Sequence, residues 1–102
     1  AGKNYTPPPI SLLKSTIEQF ADMHNLIMKV YERNEDGPNK YYAHFKNCEI
    51  EYENILIGAF GNGRTQEEAI GNYACRISLQ NIVINNNTKN CQKISVPRLI
   101  QN

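Results

Sequence analysis

Long apolar runs, surplus charge of one sign and paired cysteines are all missing from this 102-residue chain. No apolar stretch nears the roughly 18 residues that a membrane span needs. Eleven basic and ten acidic residues leave a net charge of +1, which does not suit a strongly basic nucleic-acid binder. Three cysteines, Cys48, Cys75 and Cys91, are an odd number, so a fully paired disulfide framework is excluded although two of them can still pair. No C-x-x-C supports a zinc ribbon or a thioredoxin-type centre, and no G-x-S-x-G elbow marks a serine hydrolase. The polar, Pro-rich segment Ala1 to Pro9 has no apolar core of a signal peptide. The expectation is an intracellular, reducing location.

Asn and Ile are abundant instead, fourteen and twelve copies. Both have A/T-rich codons, and a biased genome is the simplest cause. The length suits one domain, with 1–9 as a flexible lead-in and 10–100 as a single α+β unit. Pro7-Pro8-Pro9 cannot be helix interior. Leu13, Ile17, Phe20, Ala21 and His24 recur at helical steps and predict a first helix over about 10–24, with Ser11 as N-cap and Asn25 as a left-handed C-cap.

Residues 26–33 alternate as a strand. A turn-rich stretch at 34–39 leads to a second strand over 40–50, with Tyr41, Ala43 and Phe45 on one face and Tyr42, His44 and Lys46 on the other. A turn at 51–54 and a third strand over 55–60 complete a meander. Gly61-Asn62-Gly63-Arg64 reads as a break. Thr65 and Glu68 form a capping box opening a second helix over about 66–79, with Ala69, Ile70, Tyr73, Ala74 and Ile77 as its buried stripe. A short strand at 81–84, a polar loop and a strand over 93–100 follow, the last confined to an edge by Pro97. The order α-β-β-β-α-β-β predicts an antiparallel sheet with both helices packed on one face.

The chemistry-bearing residues are few. His24 continues an apolar stripe and reads as packed; His44 reads as a solvent-facing strand residue. Cys48 shares the face of His44 by parity, yet four strand positions separate them by roughly 13 Å, which defeats a local dyad. Glu49, Glu51 and Glu53 alternate by two and suit either a divalent cation or a solvated strand end. Phe60 through Thr65 is the most informative segment. Two glycines before a capped helix suit either a tight turn or an anion held on backbone N–H groups, with Arg64 as an added donor and Phe60 as a stacking ring. Tyr31 and Tyr42 share the face away from the helices, where they serve either strand propensity or an aromatic patch.

Two family resemblances follow from these residues. Over about 9–79, with Ile10-Ser11-Leu12-Leu13 and Gly61-Asn62-Gly63-Arg64-Thr65, the chain resembles a double-stranded-RNA-binding domain. That family opens its second helix with a phosphate-gripping K-K-x-A-K, where this chain has Gln66-Glu67-Glu68-Ala69-Ile70. Over about 13–100 it resembles small phage and prophage proteins, among them the Thoeris anti-defence sponges. The residues that carry this are Phe20-Ala21-Asp22-Met23-His24, Met28 to Arg33, Tyr42-Ala43-His44-Phe45, Gly61 to Ile70 with Tyr73-Ala74, and Ile94 to Ile100. The family's N-R-R-x-I-x-V-P ending is here Asn90-Cys91-Gln92-Lys93-Ile94-Ser95-Val96-Pro97, with only Lys93 keeping the charge.

That resemblance implies a non-enzymatic, oligomeric protein of the bacterial host cytoplasm that sequesters a cyclic ADP-ribose-like immune signal near a subunit boundary. It implies neither cofactor nor metal. Phe60, Gly61, Asn62, Gly63, Arg64 and Thr65 are the expected ligand residues. The alternatives are an inhibitor that binds a host defence nuclease or effector, and a degenerate double-stranded-RNA-binding module.

Overall fold

The computed structural model describes residues 14–100. Its elements are β1 (Lys14–Thr16), α1 (Ile17–His24), β2 (Met28–Glu32), β3 (Tyr41–Phe45), β4 (Cys48–Tyr52), β5 (Ile55–Ile57), β6 (Gly61–Gly63), α2 (Gln66–Ile77), β7 (Asn81–Ile84), β8 (Gln92–Ser95) and β9 (Arg98–Ile100). The class is α+β, with two helices and mostly antiparallel sheets.

The strands form three sheets rather than the expected one. β2-β3-β6 and β5-β4-β7-β8 are antiparallel, and β1 pairs with β9 in parallel. The division arises at Asn47, which stands at φ 56. A residue in the left-handed region cannot continue a pleated strand. It turns the expected 40–50 strand into β3 and β4, which join different sheets, and it shifts the inward parity so that both Phe45 and Cys48 are buried. The expected 55–60 strand stops at Ile57. β5 closes a hairpin on β4 through Glu53 and Asn54, both at positive φ as a two-residue I′ turn requires. The chain then crosses to pair β6 with β3. In the tail, Val96-Pro97 separates β8 from β9.

The first helix begins at Ile17, later than the expected 10, because Thr16 caps it. The Thr16 hydroxyl accepts from the Gln19 amide, while the Gln19 side chain accepts from the Thr16 amide. The expected Ser11 cap, Leu13 and the 1–9 lead-in lie outside the described residues. Asn25 closes the helix in the left-handed conformation, as its position in the sequence predicts. Thr65 caps α2, its hydroxyl accepting from the Glu68 amide, while the Glu68 carboxylate accepts from the Arg64 amide and so does not close the expected box on Thr65. Ala69, Tyr73, Ala74 and Ile77 are buried along its inner stripe, while Ile70 is half-buried.

α2 packs on β6 and β3. Phe45 links the helices, its ring centroid 6.3 Å from that of Phe20 on α1 and 5.4 Å from that of Tyr73 on α2. Each such ring buried from water contributes about 1.5–3 kcal/mol. The C-terminal end of α2 is tied to β9 by Ser78, whose hydroxyl donates to Ala74 O and accepts from the Leu99 amide. Among the described residues, no helix is long and apolar enough to cross a membrane.

Candidate functional site

The outer face of β2-β3-β6 is where the chemistry collects. Ala43 and Phe45 turn inward and are fully buried, so strand alternation sends Tyr42 and His44 outward. Cross-strand register then sets Tyr31 opposite Tyr42, Lys29 opposite His44, and Asn62 opposite Tyr42 on the other side.

The outward rings form a stack. Tyr31 lies between His44, with centroids 5.6 Å apart, and Tyr42, at 4.9 Å, and both pairs are nearly parallel. Beyond Tyr42 the Arg33 guanidinium continues the column at 4.3 Å from the ring centroid. Arg33 is fixed there, donating from Nη1 to Asn39 O at 2.6 Å and to Asn62 Oδ1 at 2.8 Å. Phe60 meets Tyr42 edge-on at 5.7 Å. Tyr31 and Phe60 remain about two-fifths exposed. A cation held over rings in partial contact with water suits a planar, electron-rich, anionic ligand.

The six residues expected to hold a ligand divide. Phe60 and Asn62 reach this face. Gly61 and Gly63 do not form the expected turn; they are buried strand residues facing α2. A Cβ on Gly61 would collide with the Tyr73 amide nitrogen and the Ala69 carbonyl, and one on Gly63 with Glu68 and Ala69. The glycines thus permit strand and helix backbones to meet. The amides expected to receive an anion are engaged by side chains. Asn62 N donates to Asn72 Oδ1, Arg64 N to Glu68 Oε1, and Glu68 N to Thr65 Oγ1. The exposed Arg64 side chain is what this end of α2 offers a phosphate.

The other candidates have separate partners, although His44 and Cys48 both line the cavity beside the β3–β4 bend. His44 Nδ1 lies 2.9 Å from Phe45 O, and its ring is on the outer face, whereas Cys48 is buried against Tyr73, whose hydroxyl donates toward Sγ at 3.8 Å. The shared strand face expected for His44 and Cys48 is undone by the bend at Asn47. Burial pushes the Cys48 thiol up to about 11, with the Tyr73 hydrogen bond opposing, so it is no thiolate near neutral pH. All three cysteines are free. His24 packs on Phe20 at 4.6 Å. Glu51 pairs with Lys93 at 2.9 Å, and Glu53 lies in the hairpin turn. No group of three metal-ligating side chains occurs among the described residues.

Arg33 and His44 are the additions that residue-by-residue reading misses. Arg33 follows Lys29 and Tyr31 by strand parity, a signal present in the sequence, but its place over Tyr42 depends on Asn62 from a distant strand. No protein-family model, no curated protein and no solved structure matches the chain.

Proposed function

We propose that the protein is a non-enzymatic, phage-type anti-defence factor that captures a nucleotide-derived, cyclic ADP-ribose-like immune signal. The observation that carries this reading is the column of Tyr31, Tyr42 and Arg33, half-buried at Tyr42 and Arg33, with the exposed Phe60 beside it. Rings supply a surface for a base. Arg33, Arg64 and Lys29 supply positive charge for phosphates. Capture without turnover agrees with the state of Cys48, whose thiol is buried and protonated near neutral pH.

The test is thermal unfolding with cyclic ADP-ribose isomers and cyclic di- and trinucleotides. A ligand at 100 times its Kd adds about 2.7 kcal/mol to the folded state, a shift of roughly 10 °C or more for a domain of this size. Mass spectrometry of the ligand released on denaturation should return it unaltered. No shift with any of these nucleotides overturns the reading, and a cleaved ligand overturns the non-enzymatic part of it.

The same reading expects a homo-oligomer. Tyr52, Ile55 and Ile57 are exposed on the β4–β5 hairpin, and β5 is an edge strand. An edge strand can meet its own copy antiparallel about a two-fold axis, and the apolar Ile55 and Ile57 would then cover one another. Light scattering of Ile55→Lys against the parent chain tests it.

A further inference from the structure

We infer that a second site, a purine-nucleoside pocket, lies at the His44 end of the aromatic column. There the stack ends on His44, and a cavity of about 440 Å³ opens beside it between the β3–β4 bend and the loop after β7. His44, Asn47, Glu49, Asn85, Asn86 and Asn87 line it. The volume accommodates a bicyclic base with its ribose. A planar base laid against His44 would continue a column already built from Tyr31 and Tyr42.

The lining selects the base and not a phosphate. It holds no lysine or arginine and one carboxylate, Glu49, so an anion would meet repulsion. Carboxamides and a carboxylate instead match the donor and acceptor edges of a base. Among the described residues, the side chains of Asn47, Asn85, Asn86 and Asn87 make no hydrogen bond to protein.

The loop is nonetheless shaped in advance. Asn85 N donates to Asn47 O at 2.9 Å, joining both sides of the cavity, and Thr88 Oγ1 donates to Asn85 O at 2.7 Å. Asn47, Asn85 and Asn87 stand at positive φ, which accounts for their residue type through the backbone. Asn86 has no such backbone reason, and it is half-buried at the cavity wall. Reading the edge of a base supplies one.

This inference goes beyond the capture reading, since a free nucleoside has none of the phosphates on which that reading relies; the two fail separately. Isothermal titration calorimetry with guanosine, adenosine, cytidine and ribose 5-phosphate tests it. The purine nucleosides should bind more tightly than cytidine, and ribose 5-phosphate weakest. His44→Ala should weaken purine binding about tenfold, the loss of one stacking partner, while His44→Phe should retain it. Asn86→Ala, which removes a carboxamide bonded to no described residue, should narrow the preference for purine over cytidine with the melting temperature unchanged. Met23→Ala, a remote exposed change, should leave binding as it was. The site is overturned if no nucleoside binds near its solubility limit. Ribose 5-phosphate binding as tightly as the nucleosides, or folded His44→Ala and Asn86→Ala retaining full affinity and preference, overturns it equally.

Discussion

The Arg33 guanidinium lies 4.3 Å from the centroid of the Tyr42 ring and is held there by Asn62 Oδ1 at 2.8 Å. The residue that follows β2 is thereby bound to β6 across the intervening β3. The cation–π contact contributes about 0.5–1 kcal/mol at a partly exposed site, and hydrogen bonds from a charged donor contribute about 1.5–3 kcal/mol. Arg33→Ala should therefore cost roughly 2 kcal/mol in urea unfolding. Arg33→Lys should recover less than half, because an ammonium neither stacks nor reaches Asn39 O and Asn62 Oδ1 in one geometry. Arg33→Ala and Asn62→Ala should be non-additive when combined.

Gly61 and Gly58 should respond to alanine in opposite ways. At Gly61 a Cβ meets the α2 backbone, which cannot move aside without parting strand from helix. Gly61→Ala should cost about 3 kcal/mol or more, at the upper end of overpacking effects, or prevent folding. At Gly58 a Cβ meets nothing and the φ is one that alanine adopts. Gly58→Ala should be neutral or stabilise by up to about 1 kcal/mol, through the unfolded chain. Equal effects at the two sites would refute the view of Gly61 as a packing residue.

That contrast shows what the sequence could reveal. α2 is legible because Thr65 and Glu68 state its start and its buried residues keep helical spacing, all within one segment. Gly61-Asn62-Gly63 reads as a break because glycine most often serves turns; its demand here comes from α2, a partner that local pattern does not name. The bend at Asn47 is hidden for a similar reason. Its neighbours all favour strand, and only the exit of β4 toward β7 requires the left-handed residue. The asparagine excess gains a physical role beyond codon bias. Of the seven non-glycine residues at positive φ, five are asparagines: Asn25, Asn47, Asn54, Asn85 and Asn87. For the site, Tyr31, Tyr42 and Phe60 are visible by parity and position. Their assembly with Arg33 and Asn62 depends on a β3–β6 pairing that the sequence reads as a turn.

Cys48 and Tyr73 give the fold a dependence on alkaline pH. Burial holds the Cys48 thiol up at about 11, above its ordinary 9.0. Burial, with Cys48 as the next cause, also raises the Tyr73 phenol. The folded state thus keeps protons that the unfolded chain releases. Stability should be level below about pH 9 and fall as pH rises toward 11, by about 2–3 kcal/mol for the thiol at full extent. Cys48→Ala should flatten that part of the profile in urea titrations at successive pH values. Near neutral pH, a maleimide should label the exposed Cys75 and Cys91 rapidly and Cys48 only on unfolding.

The nucleotide reading separates the contribution of rings from that of charge. Phe60 is about two-fifths exposed, while Tyr31, with His44 on one side and Tyr42 on the other, keeps the column in place, so Phe60→Ala should weaken a captured nucleotide by about 1–3 kcal/mol through lost stacking and Tyr31→Ala by a similar amount through loss of the column. That loss should hold at every salt concentration, because stacking involves no counterion. Arg64 is exposed, and on this reading it would act on phosphate through charge. Arg64→Gln should weaken binding most at low ionic strength and least near 1 M, where the Debye length is about 3 Å. Titrations at three salt concentrations check this. If Phe60→Ala and Arg64→Gln show the same salt slope, the ring is not stacking on a base and the outer face of β2-β3-β6 is not the capture site.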